Sequence, residues 1–361
     1  MSRWKYFLRR VVLAVPILLF AMSIVFLILR TGPLDPVRAI IGPSGGAQEY
    51  HRIAVRLGIE RRVVVDGEPT FVQVPLWEQY IDFMINLVTL DLGESWVIQP
   101  STDAMDIVAA RAPRTIWLGF WSVLIALFIG IPLGFYAGLN PNTKGDYTAS
   151  FFGIVWRAMP NFWLAVIFLA VLRNSGRLFG FNWETWVFST SIVRSPPLDF
   201  LTDPGMFLRS PGEAFTMFGT AVKKILPPAL VLGSSSMGNE MRIGRTAVLE
   251  TINSNYVETA KAKGLHSRTI VWKHVFRNAL IPLVPIITGE AFLLIGGSVL
   301  VETVFNISGI GYLFFQAVKN GDMPLVGSLM FIFILLVVLI NIVQDFLYTI
   351  IDPRVGYEGG A

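Results

Sequence analysis

Long apolar runs constrain this chain more than any other feature of its sequence. Val11–Leu29 is an almost unbroken hydrophobic stretch, and a helix needs roughly 20 such residues to cross about 30 Å of hydrocarbon. Further apolar runs follow at Thr115–Leu139, Ala149–Leu172, Leu226–Val248, Leu280–Val301 and Leu325–Tyr348. Only 15% of the residues are charged, against about 25% in a soluble domain. The sequence therefore predicts an all-α, polytopic membrane protein with about six transmembrane helices.

The composition also limits the chemistry. The chain has no cysteine, and its three histidines, His51, His266 and His274, are scattered, so we expect neither a thiolate nor a histidine metal site. It contains no Gly-x-x-x-x-Gly-Lys-Ser/Thr phosphate loop. The pI near 9.3 fits cations gathered in cytoplasmic segments. We therefore expect no catalytic residue, metal or cofactor in this chain, and lipid rather than nucleic acid around it.

Four cations before the first apolar run predict the orientation. Arg3, Lys5, Arg9 and Arg10 precede it, and such clusters remain in the cytoplasm. The run is too long for a cleavable signal peptide, whose apolar region is about 7 to 15 residues. With six spans, both termini are then cytoplasmic in a cell membrane.

The spans divide the chain into three predicted parts. Residues 1–30 form the cytoplasmic N-terminus and first span, and 31–113 form an extracytoplasmic segment rich in Gly and Pro. Residues 114–361 form a five-helix core. This core includes an external loop, 173–224, and a basic cytoplasmic loop, 249–279.

The two external segments carry local signals of their own. Val63–Val74 alternates around Asp66-Gly67, which predicts a β-hairpin. Trp77–Leu90 has apolar residues at helical spacing, which predicts an amphipathic helix near the membrane surface. The loop 173–224 is rich in Trp and Phe. These aromatic residues fit either packing at headgroup level or contact with a solute.

The basic cytoplasmic loop has the pattern helix, stop, helix. Gly264 can adopt the left-handed cap conformation with Leu265 supplying an apolar contact, while Lys261 and Lys263 suit the negative helix end. Ser267 can cap a second helix. The pattern fits a basic amphipathic loop on anionic lipid, and it equally fits a rigid elbow that transmits movement from a soluble partner.

A resemblance favours the elbow. Glu258-Thr259-Ala260 with Gly264 resembles the EAA loop of permeases in binding-protein-dependent ABC importers. The longer pattern, Ala260–Leu265 followed by His274–Pro282, is similar to the dipeptide, oligopeptide and nickel branch of that family. The resemblance implies that this loop docks into a groove of an ATPase subunit. The coupling residues that it implies are Tyr256, Glu258, Thr259, Ala260, Gly264 and Leu265.

The resemblance extends over nearly the whole chain. Further matching landmarks are Arg9-Arg10, Asp35-Pro36, Asp91–Ser95, Arg111–Thr115, Pro160–Trp163, Glu302–Phe305, Gly309–Gly311, Asp322 and Asp345–Arg354. Ser308 stands where the family usually has proline, and both long external segments are enlarged. The resemblance implies the fold of a type I ABC importer permease in a prokaryotic inner membrane.

The same resemblance implies partners and a class of solute. The partners are a second homologous permease in a heterodimer, two ATPase subunits that hold ATP and Mg²⁺, and an external solute-binding protein. This chain would supply half of the translocation pathway. The solute would be a dipeptide, a longer peptide, a nickel chelate, glutathione or an oligosaccharide.

Polar residues at membrane depth are candidates for the pathway. Ser234, Ser235 and Ser236 interrupt the fourth span, and such residues face protein or water rather than lipid. Counting along the predicted spans at 1.5 Å per residue places Arg157, Glu240 and Glu290 roughly 10 to 14 Å inside the membrane. We expect one charged layer, which either pairs internally or meets the termini of a solute.

Two other classes of protein compete with the importer permease. A secondary transporter driven by an ion gradient would also need buried charge at membrane depth. A membrane enzyme would need a nucleophile and a base arranged together in the spans, and no such pattern is recognisable in the sequence.

Overall fold

The computed structural model of the chain describes residues 3–32, 35–42, 44–65, 68–188, 195–283, 286, 289 and 298–351. Residues 3–6, 65, 68, 188 and 348–351 are described by their backbone alone.

The described part of the chain is mostly helical. In chain order, its first elements are α1 (Arg3–Thr31), α2 (Pro36–Ile41), α3 (Ala47–Arg56), β1 (Glu60–Val65), β2 (Glu68–Gln73), α4 (Leu76–Thr89), α5 (Ala104–Ile125), a π-helical turn (Ala126–Gly130), α6 (Ile131–Leu139), α7 (Lys144–Ala158), α8 (Asn161–Arg173), α9 (Ser175–Phe179) and α10 (Trp183–Phe188). They are followed by α11 (Asp199–Thr202), α12 (Met206–Arg209), α13 (Pro211–Ile252), α14 (Asn255–Ala262), α15 (Ser267–Thr269), a π-helical segment (Ile270–Phe276), α16 (Arg277–Ala279), a 3₁₀ turn (Ile281–Leu283), α17 (Ser298–Phe305), α18 (Ile310–Asn320) and α19 (Met323–Ile351).

Among the described residues, four helices are long and apolar enough to cross a membrane: Phe7–Thr31, Ala104–Leu139, Pro211–Ile252 and Met323–Leu347. Two bent pairs pass the same test together, α7 with α8 at 103° and α17 with α18 at 86°. Counting each pair as one span gives six. The prediction of an all-α polytopic membrane protein is confirmed.

Several predicted boundaries differ from the observed ones. The third run breaks at Met159-Pro160 between α7 and α8, because a residue before proline is pushed out of the helical region. α13 begins at Pro211, inside the predicted external loop 173–224. The predicted fifth span, Leu280–Val301, lies mostly outside the described residues.

The chain forms two compact units. One of them comprises Arg9–Arg111 and Leu313–Val338. Its apolar core joins Met22 and Val25 of α1 to Leu87 of α4 and Phe331 of α19. β1 and β2 pair in antiparallel register, and β1 ends at Val65 and β2 begins at Glu68, on either side of the predicted turn, so the hairpin is confirmed. α4 also matches the predicted amphipathic helix within one residue at each end.

The other unit comprises Met1–Leu8, Ala112–Tyr312 and Leu339–Ala361. Its long helix α13 packs along α6 and α7. One core cluster includes Trp117, Ile225 and Phe305. Part of the aromatic loop joins this core, since Phe200 is buried and meets Trp117 edge to face. Other loop aromatics are exposed, among them Phe179 and Phe215.

Candidate functional site

The first half of the predicted elbow is a helix that ends in a Schellman motif. The Gly264 N–H donates to the Lys261 carbonyl at 2.9 Å, and the Leu265 N–H donates to the Ala260 carbonyl at 3.3 Å. Gly264 has φ = 73°, the left-handed region that glycine adopts without the Cβ penalty. The predicted left-handed cap at Gly264 is confirmed.

The second half of the elbow begins one residue earlier than predicted. His266, not Ser267, is the N-cap, because its Nδ1 accepts a hydrogen bond from the Arg268 N–H at 3.2 Å. The prediction that Ser267 caps this helix is wrong. The chain then passes from α15 through the π-helical segment into α16. Asn278 Nδ2 donates to the Tyr256 hydroxyl at 3.0 Å, which ties the two halves together.

One face of the elbow is buried in its own unit. Val257, Ala260 and Val275 pack in a cluster with Phe135 of α6 and Val248 of α13. Ala260 is only 5% exposed. It therefore seats the elbow on the membrane helices and presents little surface to another protein.

The opposite face is exposed. Tyr256 is 44% exposed, Leu265 is 40% exposed, and Glu258 and Thr259 are also exposed. Much of the Leu265 side chain is therefore accessible, and its predicted apolar contact stays a prediction. Trp272 extends this surface beyond the predicted residues. The elbow is thus fixed to α6 and α13 on one face and available to a partner on the other.

An ion pair between a buried carboxylate and a partly exposed guanidinium ties α7 to α13. Arg245 Nε and Nη2 donate to the two carboxylate oxygens of Asp146 at 2.6 and 2.8 Å. Asp146 is 1% exposed and also accepts from the Asn142 N–H at 2.9 Å. Such two-pronged pairs fix orientation as well as distance. Sequence reasoning missed this pair, because the two residues are 99 positions apart.

A line of glycines lets α13 approach the second span, Ala104–Leu139, closely. A Cβ added at Gly130 would lie 3.0 Å from the Met237 carbonyl oxygen, and one at Gly134 would lie 2.5 Å from the Met241 carbonyl oxygen. At Gly138 it would lie 2.9 Å from the Arg245 carbonyl oxygen. The i, i+4, i+8 spacing of these glycines is a typical signal of close helix packing in membranes. Sequence reasoning missed this contact too, although the spacing is visible in the sequence.

The polar residues predicted for the pathway lie in different surroundings. The hydroxyls of Ser234 and Ser235 donate to carbonyls of their own helix, those of Val231 and Leu232, at 3.0 and 2.7 Å. Ser236 is 4% exposed. α13 therefore continues through the serines without interruption.

The predicted charged layer is only partly described. Arg157 Nη1 donates to Asn239 Oδ1 at 3.1 Å. Glu240 is fully buried and lies against Gly130, whereas Glu290 lies outside the described residues. The layer of Arg157, Glu240 and Glu290 stays a prediction.

Several landmark residues that are far apart in the sequence form a single buried node. The Thr115 hydroxyl donates to Glu302 Oε1 at 2.7 Å and accepts from the Ile310 N–H at 2.7 Å. The Tyr312 N–H donates to Glu302 Oε2 at 2.8 Å. Glu302 thereby holds the bend between α17 and α18 against α5.

A second node lies in the other unit. The Asp322 carboxylate accepts hydrogen bonds from the Ser95 hydroxyl at 2.6 Å and from the N–H groups of Trp96, Val97 and Ile98 at 3.0 to 3.1 Å. It fixes the turn before α5 to the start of α19. Within the described residues, no group of three or more His, Asp or Glu side chains could hold a metal ion.

The fold defines the class of protein, and a match to a family model then identifies its family. The long apolar helices and the bent pairs define a multi-pass membrane protein. Residues 130–357 match the model of the binding-protein-dependent transport system inner membrane component. This match covers more than half of the chain, so the chain belongs to that family and is the membrane-spanning permease component of an ABC importer.

Several known proteins are similar to this chain over almost the full length of both sequences. The chain is 31% identical to the oligopeptide transport system permease protein AppB of Bacillus subtilis (strain 168), over 98% of this chain and 99% of the relative. It is 33% identical to a putative peptide transport system permease protein of Brucella suis biovar 1 (strain 1330), over 97% and 98%. It is also 26% identical to the dipeptide transport system permease protein DppB of Escherichia coli (strain K12), over 98% and 99%.

Proposed function

We propose that this chain supplies half of the translocation pathway of an importer for peptides or peptide-like solutes. The names of its relatives, which are transport system permeases for dipeptides and oligopeptides, support this solute class. A second homologous permease would complete the pathway. Two ATPase subunits would hold ATP and Mg²⁺, and an external solute-binding protein would deliver the solute.

The elbow is the observation that carries the proposal. Its inner face packs on α6 and α13, and its outer face exposes Tyr256, Glu258 and Thr259. A short helix that is packed on one side and capped at its end moves as a body, because close-packed interfaces resist continuous deformation. A push from an ATPase subunit on the outer face would therefore reach the two membrane helices directly.

The charge distribution supports one orientation. The elbow region carries Lys261, Lys263, Arg268 and Lys273, and cations close to the ends of membrane helices favour the cytoplasmic side. The cluster before the first span favours the same side. We therefore place both the elbow and the termini in the cytoplasm, and the segments 31–113 and 173–224 outside, where a binding protein docks.

Cysteine cross-linking tests the elbow assignment. The chain has no native cysteine, so Thr259→Cys introduces a single reactive thiol on the exposed face. In the assembled complex this thiol, labelled with a maleimide that carries a photoactivatable group, should cross-link to an ATPase subunit on irradiation. Trp77→Cys, also exposed but in the segment placed outside, is the matched control and should remain uncross-linked to the ATPase. Equal ATPase cross-linking at the two positions, or cross-linking only from position 77, would overturn the assignment.

A further inference from the structure

Polar side chains follow one face of α13. They recur at spacings of four, three and four residues, the period that keeps side chains on one side of a helix: Ser235, Asn239, Arg242 and Thr246. Ser235 and Asn239 are half-buried, and Arg242 and Thr246 are exposed. At 1.5 Å per residue, Asn239 lies about 20 Å before the end of α13 at Ile252. This polar face therefore runs from the interior of a membrane span to the end that carries the elbow.

Arg157 of α7 extends the polar face. Its Nη1 donates to Asn239 Oδ1 at 3.1 Å, and its side chain is exposed. Arg157 lies near the middle of the bent span that α7 and α8 form together, Lys144–Arg173. Because the side chain is exposed, a group that moves along α13 has direct access to this guanidinium at membrane depth.

The two guanidinium groups of the polar face have no anionic partner among the described residues. No ion pair of Arg157 or Arg242 occurs in that part of the chain. Arg245 differs from them, because it binds Asp146. Glu240 lies against the second span rather than on the polar face. Cations at membrane depth are costly against lipid and require water or a counter-charge. The polar face therefore fits a water-filled path along which an anionic group passes.

We propose that the polar face lines the translocation pathway and binds the C-terminal carboxylate of a passing peptide. This inference rests on the proposed function, which makes the solute a peptide. A planar guanidinium binds a carboxylate through two parallel N–H···O bonds. Asn239 is the only hydrogen-bond partner of the Arg157 guanidinium among the described residues, so further N–H groups remain for the carboxylate. Arg242 provides a second binding position nearer the cytoplasm, and successive sites let a solute leave as well as enter.

The test compares peptides that differ only in their terminal charge. The complete importer, with its ATPase subunits and binding protein, is reconstituted in proteoliposomes. It is given a mixture of alanine dipeptides, tripeptides and tetrapeptides, each as the free acid and as the C-terminal amide. Mass spectrometry measures the ATP-dependent uptake of each form, which gives an acid-to-amide ratio. The wild type and every variant use the same binding protein, so the preference of that protein cancels when the ratios are compared.

Arg157→Gln should lower the acid-to-amide ratio about ten-fold, the change expected for loss of a hydrogen bond to a charged group, and should preserve uptake of the amide. Arg157→Lys keeps the charge without the planar fork and should retain part of the preference. Arg242→Gln should also lower the ratio, and it keeps the test decisive where Arg157→Gln does not assemble. Arg177→Gln makes the same substitution at an exposed arginine of α9 and should leave the ratio unchanged.

The outcomes separate this inference from the proposed function. A wild-type ratio in both glutamine variants at positions 157 and 242 would overturn the inference and leave the proposed function in place. An equal fall in the uptake of acid and amide would also overturn it, because the two arginines would then have a structural role, such as pairing with the second permease. Absence of ATP-dependent uptake of every peptide by the assembled wild type would refute the proposed function and this inference with it.

Discussion

Replacing Gly264 tests whether the elbow couples ATP hydrolysis to transport. Gly264 has φ = 73°, and a Cβ there would meet no atom of the described residues within 4 Å. An alanine would therefore encounter no clash, and its cost would be that of the left-handed conformation, about 1 kcal/mol. A free-energy difference of 1.4 kcal/mol corresponds to a ten-fold change in an equilibrium constant. The population of the capped conformation relative to the uncapped one should therefore fall about five-fold.

The expected phenotype is partial uncoupling in an intact complex. A penalty of about 1 kcal/mol is a fraction of the stability of an ordinary protein, so Gly264→Ala should assemble. The altered cap should change the direction in which the chain enters the second half of the elbow. We expect fewer solute molecules imported per ATP hydrolysed. Gly264→Val should have a larger effect, because β-branched residues are genuine outliers at positive φ.

Gly180 provides a matched control. It also has φ = 73°, and a Cβ added there would again meet no atom of the described residues within 4 Å. Gly180→Ala therefore carries the same conformational penalty at a position away from the elbow. The assay is transport and ATP hydrolysis measured together on proteoliposomes. The reasoning is refuted if Gly264→Val assembles and keeps the wild-type ratio, or if Gly180→Ala lowers the ratio equally.

Four other substitutions probe the contacts around the site. Asp146→Asn should destabilise the complex by about 1 to 2 kcal/mol, because it weakens two charge-assisted hydrogen bonds to Arg245, whose side chain is 30% exposed and partly screened by solvent, and thermal unfolding should show a lower midpoint. Gly134→Leu should lower the yield of folded protein in size-exclusion profiles, since overpacking costs about 1 to 3 kcal/mol and here the obstacle is backbone. Asp322→Ala should increase proteolysis of the turn at 95–98 by removing bonds to a charged acceptor, each contributing about 1.5 to 3 kcal/mol. Arg157→Leu should preserve assembly but change solute uptake if the charged layer contacts solute; unchanged uptake would remove Arg157 from the pathway.

Local signals in the sequence were sufficient to predict much of the secondary structure. The Asp-Gly turn predicted the hairpin, although β1 begins at Glu60 rather than Val63. The earlier start adds three charged residues, which an exposed hairpin accepts without an apolar pattern. The spacing of apolar residues located α4, and Gly264 predicted the end of α14, because both features depend on neighbours along the chain.

Contacts between distant parts of the sequence could not be predicted in the same way. Thr115 and Glu302 are 187 positions apart, and Ser95 and Asp322 are 227 positions apart. Each of these residues belongs to a landmark of the sequence, but no local rule pairs a hydroxyl with a carboxylate across such a separation. The inward position of Ala260 was missed for the same reason, since it depends on the placement of α6 and α13.

ATP-dependent uptake by the reconstituted complex tests the central claim most directly. The permease pair, its ATPase subunits and the solute-binding protein are combined on proteoliposomes, and entry of a labelled peptide is measured with no ion gradient across the membrane. We predict uptake that requires both ATP and the binding protein and that is lost in Gly264→Val. Uptake that proceeds without ATP when an ion gradient is imposed would contradict the account and would identify a secondary transporter.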